Sequence, residues 1–363
     1  MNPIRIGFVL LSNSRNPAPS TRIAALNMFP FLKAAGYDPE ILFEPADATE
    51  TPELPDLVKQ AVDREIRVVL FQKAHGPAVE RAARRLALAG IKTVYSVCDL
   101  VDVAMVRCTD ATVVVTDYLK SLYPVSLQKK IHVVHDGIEH PEQQAGPARQ
   151  IYGSRRDRLR AVLVTSADLA TLPVIGTPPD WLEVIIVGRY APGWPQRVRE
   201  ARWKFTGMAT TTERIDYLRF LSSRRIHCKA WDPVSVYTAM HSADFGIIPI
   251  DTRSSSCDEI IPAWKVKSEN RLTMKMCMGL PVIATPIPSY EPVLRHGENG
   301  FFARSQREWI ECLHAMRDPS VRERIGKCAR ESVLQRYSTE EQASRLLGVL
   351  NVLFETSTGT GTG

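Results

Sequence analysis

The chain has 363 residues, a length that suits two cores of about 150 to 200 residues better than one. With 44% hydrophobic and 24% charged residues it has the composition of a globular protein, and no apolar run reaches the roughly 20 residues that cross a bilayer. Its net charge of +6 is modest, and the basic runs at 81–85 and 155–158 lack interleaved aromatics. No nucleic-acid partner is therefore expected; a solvated face, a phosphorylated ligand and an anionic membrane surface stay open as readings of those runs.

Residues 4–11 read as a buried strand rather than a signal peptide, which makes a cytoplasmic protein the expectation, with peripheral contact at the inner face of the membrane as an alternative. Further strands are predicted at 68–71, 93–97, 111–115 and 131–134. Helical spacing covers 22–35 before Gly36 and 77–89 before Gly90, each glycine a suitable stop. Pro141, Gly146, Pro147 and Gly153 mark 141–160 as a linker. A second series follows, with strands at 161–164, 184–187, 226–230, 245–249 and 281–285. Its helices are predicted at 211–222, 234–241, 267–278 and 307–316. Alternation of this kind predicts an α/β protein of two doubly wound Rossmann-like domains, 1–140 and 161–337, facing each other across a cleft. Ser338, with Glu341 three residues on, is a capping box opening a last helix through about 354; 356–363 is a low-complexity tail predicted to lack fixed structure.

The seven cysteines are scattered and include no C-x-x-C pair, so neither a disulfide framework nor a zinc site is predicted. Phosphate loops, H-E-x-x-H and G-x-S-x-G are absent from the sequence.

The stretch 267–285 reads as helix, glycine stop and buried strand. Lys267, Asn270, Arg271, Met274 and Met278 would share one helical face. Two cations at the positive end of a helix dipole call for an anion, and a bound phosphate is the functional reading; a solvated helix start is the alternative. Next comes a proline loop, Pro286 to Pro292, expected to lead into a helix with Pro292 in its first turn. Ser289 either caps that helix or holds a phosphate or sugar oxygen, and Tyr290 is either core or site.

The run from Lys267 to Phe302 resembles the donor-binding segment of family 4 and related retaining glycosyltransferases of the GT-B fold. The strand Asp244 to Pro249, the stretch from Pro19 to Arg22 after the first strand, and Lys130 to Gly137 resemble that family as well. The resemblance implies a nucleotide-sugar donor in the second domain and a glycan, lipid-linked or small-molecule acceptor in the first. It also implies catalysis across the cleft, no metal, no cofactor, and a last helix returning to the first domain. Two departures stand out. The E-x7-E pair of the family would fall on Val266 and Met274, and the basic residues expected after the first donor-domain strand are missing from 165–169.

The donor-binding candidates are thus Lys267, Asn270, Arg271, Met274, Pro288, Ser289, Tyr290 and Glu291, with Lys267 and Arg271 stabilising the departing diphosphate. On the acceptor side stand Ser20 and Arg22, where the first helix is expected to open, and Gln72, Lys73 and Asp102, which follow predicted strands. Asp99 is the candidate base for the acceptor hydroxyl, with helix capping as its structural alternative. His135, before Asp136-Gly137, reads as a turn residue. Sugar transfer from a nucleoside-diphosphate sugar is the expected activity. A nucleotide-sugar epimerase on the same fold and a noncatalytic sugar- or partner-binding protein are the rivals.

Overall fold

The apolar runs of the first half form parallel strands β1 (Ile4–Val9), β2 (Tyr37–Phe43), β3 (Val68–Gln72), β4 (Lys92–Val97), β5 (Ala111–Val114) and β6 (Ile131–Val133). The structure is a computed structural model that describes residues 3–139, 158–165, 178–188, 190, 194–252 and 261–358. Most of the predicted linker and residues 166–169 lie outside that range. The chain divides into two units, the first Met1–Glu139, Glu259–Asn270 and Arg336–Gly363, the second His140–Asp258 and Arg271–Gln335.

In the first unit the strand order is β2-β1-β3-β4-β5-β6. Alternate residues of each strand enter two apolar clusters: Val69 and Phe71 one, Val68 and Leu70 the other. Both faces are therefore covered, which is why these strands read as continuous apolar runs. β2 escaped the sequence reading because it is polar and carries Pro39. It is an edge strand, the position where a missing amide is tolerated.

The helix predicted at 22–35 is a correction. It begins earlier, at Pro19–Ala24, breaks at Ala25, and resumes as a short 3-10 turn and the helix Phe29–Ala34. Pro19 starts the first piece and Pro30 is the second residue of the last, each in the first turn where a proline costs no hydrogen bond. Gly36 and Gly90 adopt φ of +85° and +75°, as the predicted stops require.

The second unit holds β7 (Leu159–Val164), β8 (Leu182–Gly188), β9 (Ile226–Ala230), β10 (Phe245–Ile248), β11 (Val282–Ala284) and β12 (Phe301–Phe302), all parallel, in the order β12-β11-β10-β7-β8-β9. Leu163 and Ile186 face one cluster, Val162 and Ile185 the other. Two parallel sheets, each flanked by helices, make the doubly wound architecture.

The last helix, Thr339–Thr358, runs past the predicted end. The Ser338 hydroxyl accepts the Glu341 amide at 3.0 Å, the first half of the predicted box, and the Glu341 carboxylate accepts from Arg345 at 3.0 Å. Ala343, Leu346, Val349, Leu350 and Leu353 are buried in the first unit's core beside β1, β3 and β5.

Candidate functional site

At the carboxyl ends of β3 and β4 the first unit gathers Lys73, Asp99, Asp102, Glu50 and His75. Lys73 follows β3 at φ +55°, a left-handed conformation costing a lysine about 1 kcal/mol or more. Its ammonium sits 2.8 Å from Asp99 Oδ1 and 2.9 Å from Glu50 Oε1. His75 lies 3.5 Å from both Glu50 and Asp102 carboxylates. Burial alone would lower the Lys73 pKa; the electrostatics of Cys98 and the carboxylates of Asp99 and Glu50 outweigh it and raise the group. Burial pushes the Cys98 thiol itself well up, so at neutral pH that thiol is uncharged and the carboxylates hold the lysine charged. Asp102, not Asp99, caps the following helix, accepting the Met105 amide at 2.9 Å. Asp99 is thereby left at the mouth of the cluster, its side chain half exposed. Beneath it the Tyr95 hydroxyl is fully buried without a hydrogen-bond partner.

Gln72 is 1% exposed, and its Oε1 accepts the Leu11 amide at 3.1 Å and the Thr21 hydroxyl at 2.9 Å. That explains its polarity at a strand end: it ties β1 to the first helix. Ser20 lies half-buried on that helix. Arg22 was expected to open the helix and instead is its fourth residue, since Pro19 starts it. Its guanidinium makes a two-pronged pair with Glu139, at 2.5 and 2.9 Å.

His135 does not sit in a hydrogen-bonded turn. It follows β6, is buried, and its Nδ1 lies 2.7 Å from Glu269 Oε1 and 2.9 Å from the Val115 carbonyl. Asp136 is buried next to it and its pKa rises to about 7. Burial is the main cause; the Ser268 hydroxyl opposes it, and Glu269 and Glu139 add to it. A cavity of about 20 Å³ touches Ser96, His135 and Asp136, enough for one water. Sequence reasoning missed Glu269, because a glutamate before a helix normally faces solvent; at 1% exposure this one does not.

Those contacts correct a central expectation. The helix predicted from Lys267 begins only at Asn270, because Ser268 and Glu269 are drawn to Asp136 and His135. Lys267 and Met278 therefore lie outside the helix Asn270–Cys277 and share no helical face with Arg271. Lys267 and Asn270 belong to the first unit, Arg271 to the second.

Within the second unit Arg271 and Met274 are half-buried on that helix. Lys275, which the sequence reading passed over, is completely buried and donates to the Arg271 carbonyl at 3.0 Å. Gly246 on β10 makes the room: a Cβ there would stand 2.7 Å from the Lys275 side chain. After β11 the expected helix around Pro292 is absent, and residues 288–293 form successive turns. With Pro286, Pro288 and Pro292 the segment lacks three of the amides that a helix would use. Ser289 thus caps nothing; its hydroxyl is buried with no hydrogen-bond partner. Tyr290 is core at 1% exposure, Pro288 is half-buried, and Glu291 is exposed. Among the described residues no group of three or more His, Cys, Asp or Glu is arranged to hold a metal ion.

Residues 179–348, just under half of the chain, match the family described as glycosyl transferase-like. Solved structures agree over nearly the whole length. A glycosyltransferase from Rickettsia africae ESF-5 superposes with a TM-score of 0.70 at 12% identity, covering 98% of this chain and 99% of its own. The fold is that of GT-B-like glycosyltransferases. HepE of Anabaena, in complex with UDP and glucose, gives 0.67 at 13% identity over 96% of this chain and all of its own. Sucrose-phosphate synthase of Thermosynechococcus elongatus gives 0.66 at 11% over 97% and 100%. No curated protein matches the chain in sequence. No helix of the described residues is long and apolar enough to cross a membrane.

Proposed function

We propose that the chain transfers a sugar from a nucleoside-diphosphate sugar to an acceptor hydroxyl, the donor held by the second unit and the acceptor by the first. The observation that carries this reading is Ser289. A buried hydroxyl without a partner forfeits about 1 to 3 kcal/mol, and such groups persist where a ligand satisfies them. This one lies in the loop leaving β11, at the end of a parallel sheet where ligands of doubly wound folds bind. The matched family and the UDP complex of HepE support the choice of a nucleotide-linked ligand.

In this reading Arg271 and Ser289 bind the diphosphate. The bond from the sugar's anomeric carbon to the diphosphate oxygen breaks, the charge left on that oxygen is stabilised by the guanidinium, and a new bond forms to the acceptor oxygen. The acceptor's proton passes to a base; Asp99, exposed on one side and held on the other by Lys73, is the group proposed. Retention of configuration, independence of metal and kinship with family 4 rest on the motif resemblance between 267 and 302.

Titration calorimetry with UDP, GDP and ADP tests the donor half. Arg271→Ala should weaken binding of the preferred diphosphate by about 1.5 to 3 kcal/mol, and Ser289→Ala by about 1 kcal/mol. Ser289→Ala should leave the free protein at least as stable as before, since it removes an unsatisfied buried group. Unchanged affinity in both variants would place the donor elsewhere.

A further inference from the structure

Apart from Ile310, the exposed large apolar side chains described in the second unit fall between residues 198 and 231. β9 is the terminal strand of the sheet, and the helices Trp194–Gly207 and Thr211–Ser222 precede it. Tyr217, Phe220 and Phe205 turn inward to the core, and the Arg214 guanidinium lies over the Phe205 ring at 5.7 Å, linking the two helices. Outward face Ile215, Leu218 and Leu221, three residues apart on one side of their helix and each about half exposed. On the neighbouring helix Trp203 is 77% exposed, and Trp231 is exposed just after β9. Single exposed apolar side chains are ordinary; this many large ones within 198–231 are not.

The charge of the same segment is equally uneven. Residues 194–231 contain nine Lys or Arg against three Asp or Glu, a surplus of six that equals the net charge of the whole chain. Arg199, four residues before Trp203, shares its side of the helix, and Arg202 is exposed on the flank of that side. Protein–protein interfaces also favour tryptophan and arginine, but a one-signed surplus of six repels a second copy of the same face. Tryptophan and leucine interleaved with arginine is instead the composition that settles at a bilayer's headgroup boundary, where the apolar groups enter the acyl region and the cations meet lipid phosphates.

We propose that this face docks the protein on an anionic lipid surface. The inference rests on the second unit's surface alone and stands apart from the donor site. Co-sedimentation with vesicles tests it. Vesicles of 30% phosphatidylglycerol in phosphatidylcholine should bind at least fivefold more protein than pure phosphatidylcholine, and 0.5 M NaCl should remove most of that difference. Trp203→Ser/Leu218→Ser and Arg199→Glu/Arg202→Glu should each lose at least fivefold while keeping nucleoside-diphosphate affinity, which also certifies their folding. Should a variant misfold, brominated lipids in the anionic vesicles must quench the wild-type tryptophan fluorescence. No preference for anionic vesicles, or full binding by folded variants, overturns the proposal. So does a dimer in light scattering that binds no vesicles and is lost in Trp203→Ser/Leu218→Ser, which would give the face to a second copy.

Discussion

Lys275 shows how far a single environment can move a side chain from its ordinary chemistry. Burial, and to a lesser degree the charge of Arg271, lower its pKa from 10.5 to about 7. Between those values the unfolded chain binds more protons than the folded one, so stability rises with pH, by up to about 1.4 kcal/mol per pH unit. The penalty is complete below pH 7 and gone near pH 10.5. Lys275→Met should therefore stabilise the second unit at pH 7 and flatten the rise between pH 7 and 9, read from urea melts at both values. Equal destabilisation at both would contradict it. Nothing in the sequence marks this lysine, because its burial depends on Gly246 lying on a different element. Glu269 was hidden for the same reason: its partner His135 is more than a hundred residues away. Ser289 and Arg271, proposed for the donor, could be picked out as candidates because their position after or before an apolar strand is a local signal. Tyr290, left open as core or site, is buried.

Elements were legible where one local signal acted alone. The helix Thr211–Ser222 appeared at its predicted bounds, with Thr210 and Glu213 forming a capping box. Errors arose where prolines or distant partners intervened: Pro30 in the first helical stretch, Pro39 in the edge strand, and the Ser268 and Glu269 contacts that delay the helix at Asn270. The last helix is the element with most at stake in the first unit, because its apolar stripe closes one face of the sheet. Leu350 is 1% exposed among Leu346, Val349 and the β-strand residues of that core. Leu350→Ala should cost about 2 to 5 kcal/mol, mostly through the cavity it leaves. A chemical-denaturation midpoint within error of wild type would show that the stripe is not part of the cooperative core.

At the scale of the molecule, two parallel sheets were readable because strands buried on both faces are continuous apolar runs separated by amphipathic helices. Strand order was not readable, since neighbours such as β7 and β10 are joined by contacts more than eighty residues apart. Chemistry was readable only as far as the resemblance from 267 to 302 reached. The cluster around Lys73 becomes visible only when Glu50, Asp99 and Asp102 are brought together by folding. Sugar transfer is the central claim, and turnover of the donor tests it most directly. Purified protein is incubated without acceptor with radiolabelled UDP-, GDP- and ADP-linked hexoses, and the products are separated. Slow, saturable release of free sugar and nucleoside diphosphate from at least one donor, reduced at least tenfold in Arg271→Ala, is the predicted result. Intact donor in every case, or a donor converted only into its epimer, would contradict transfer.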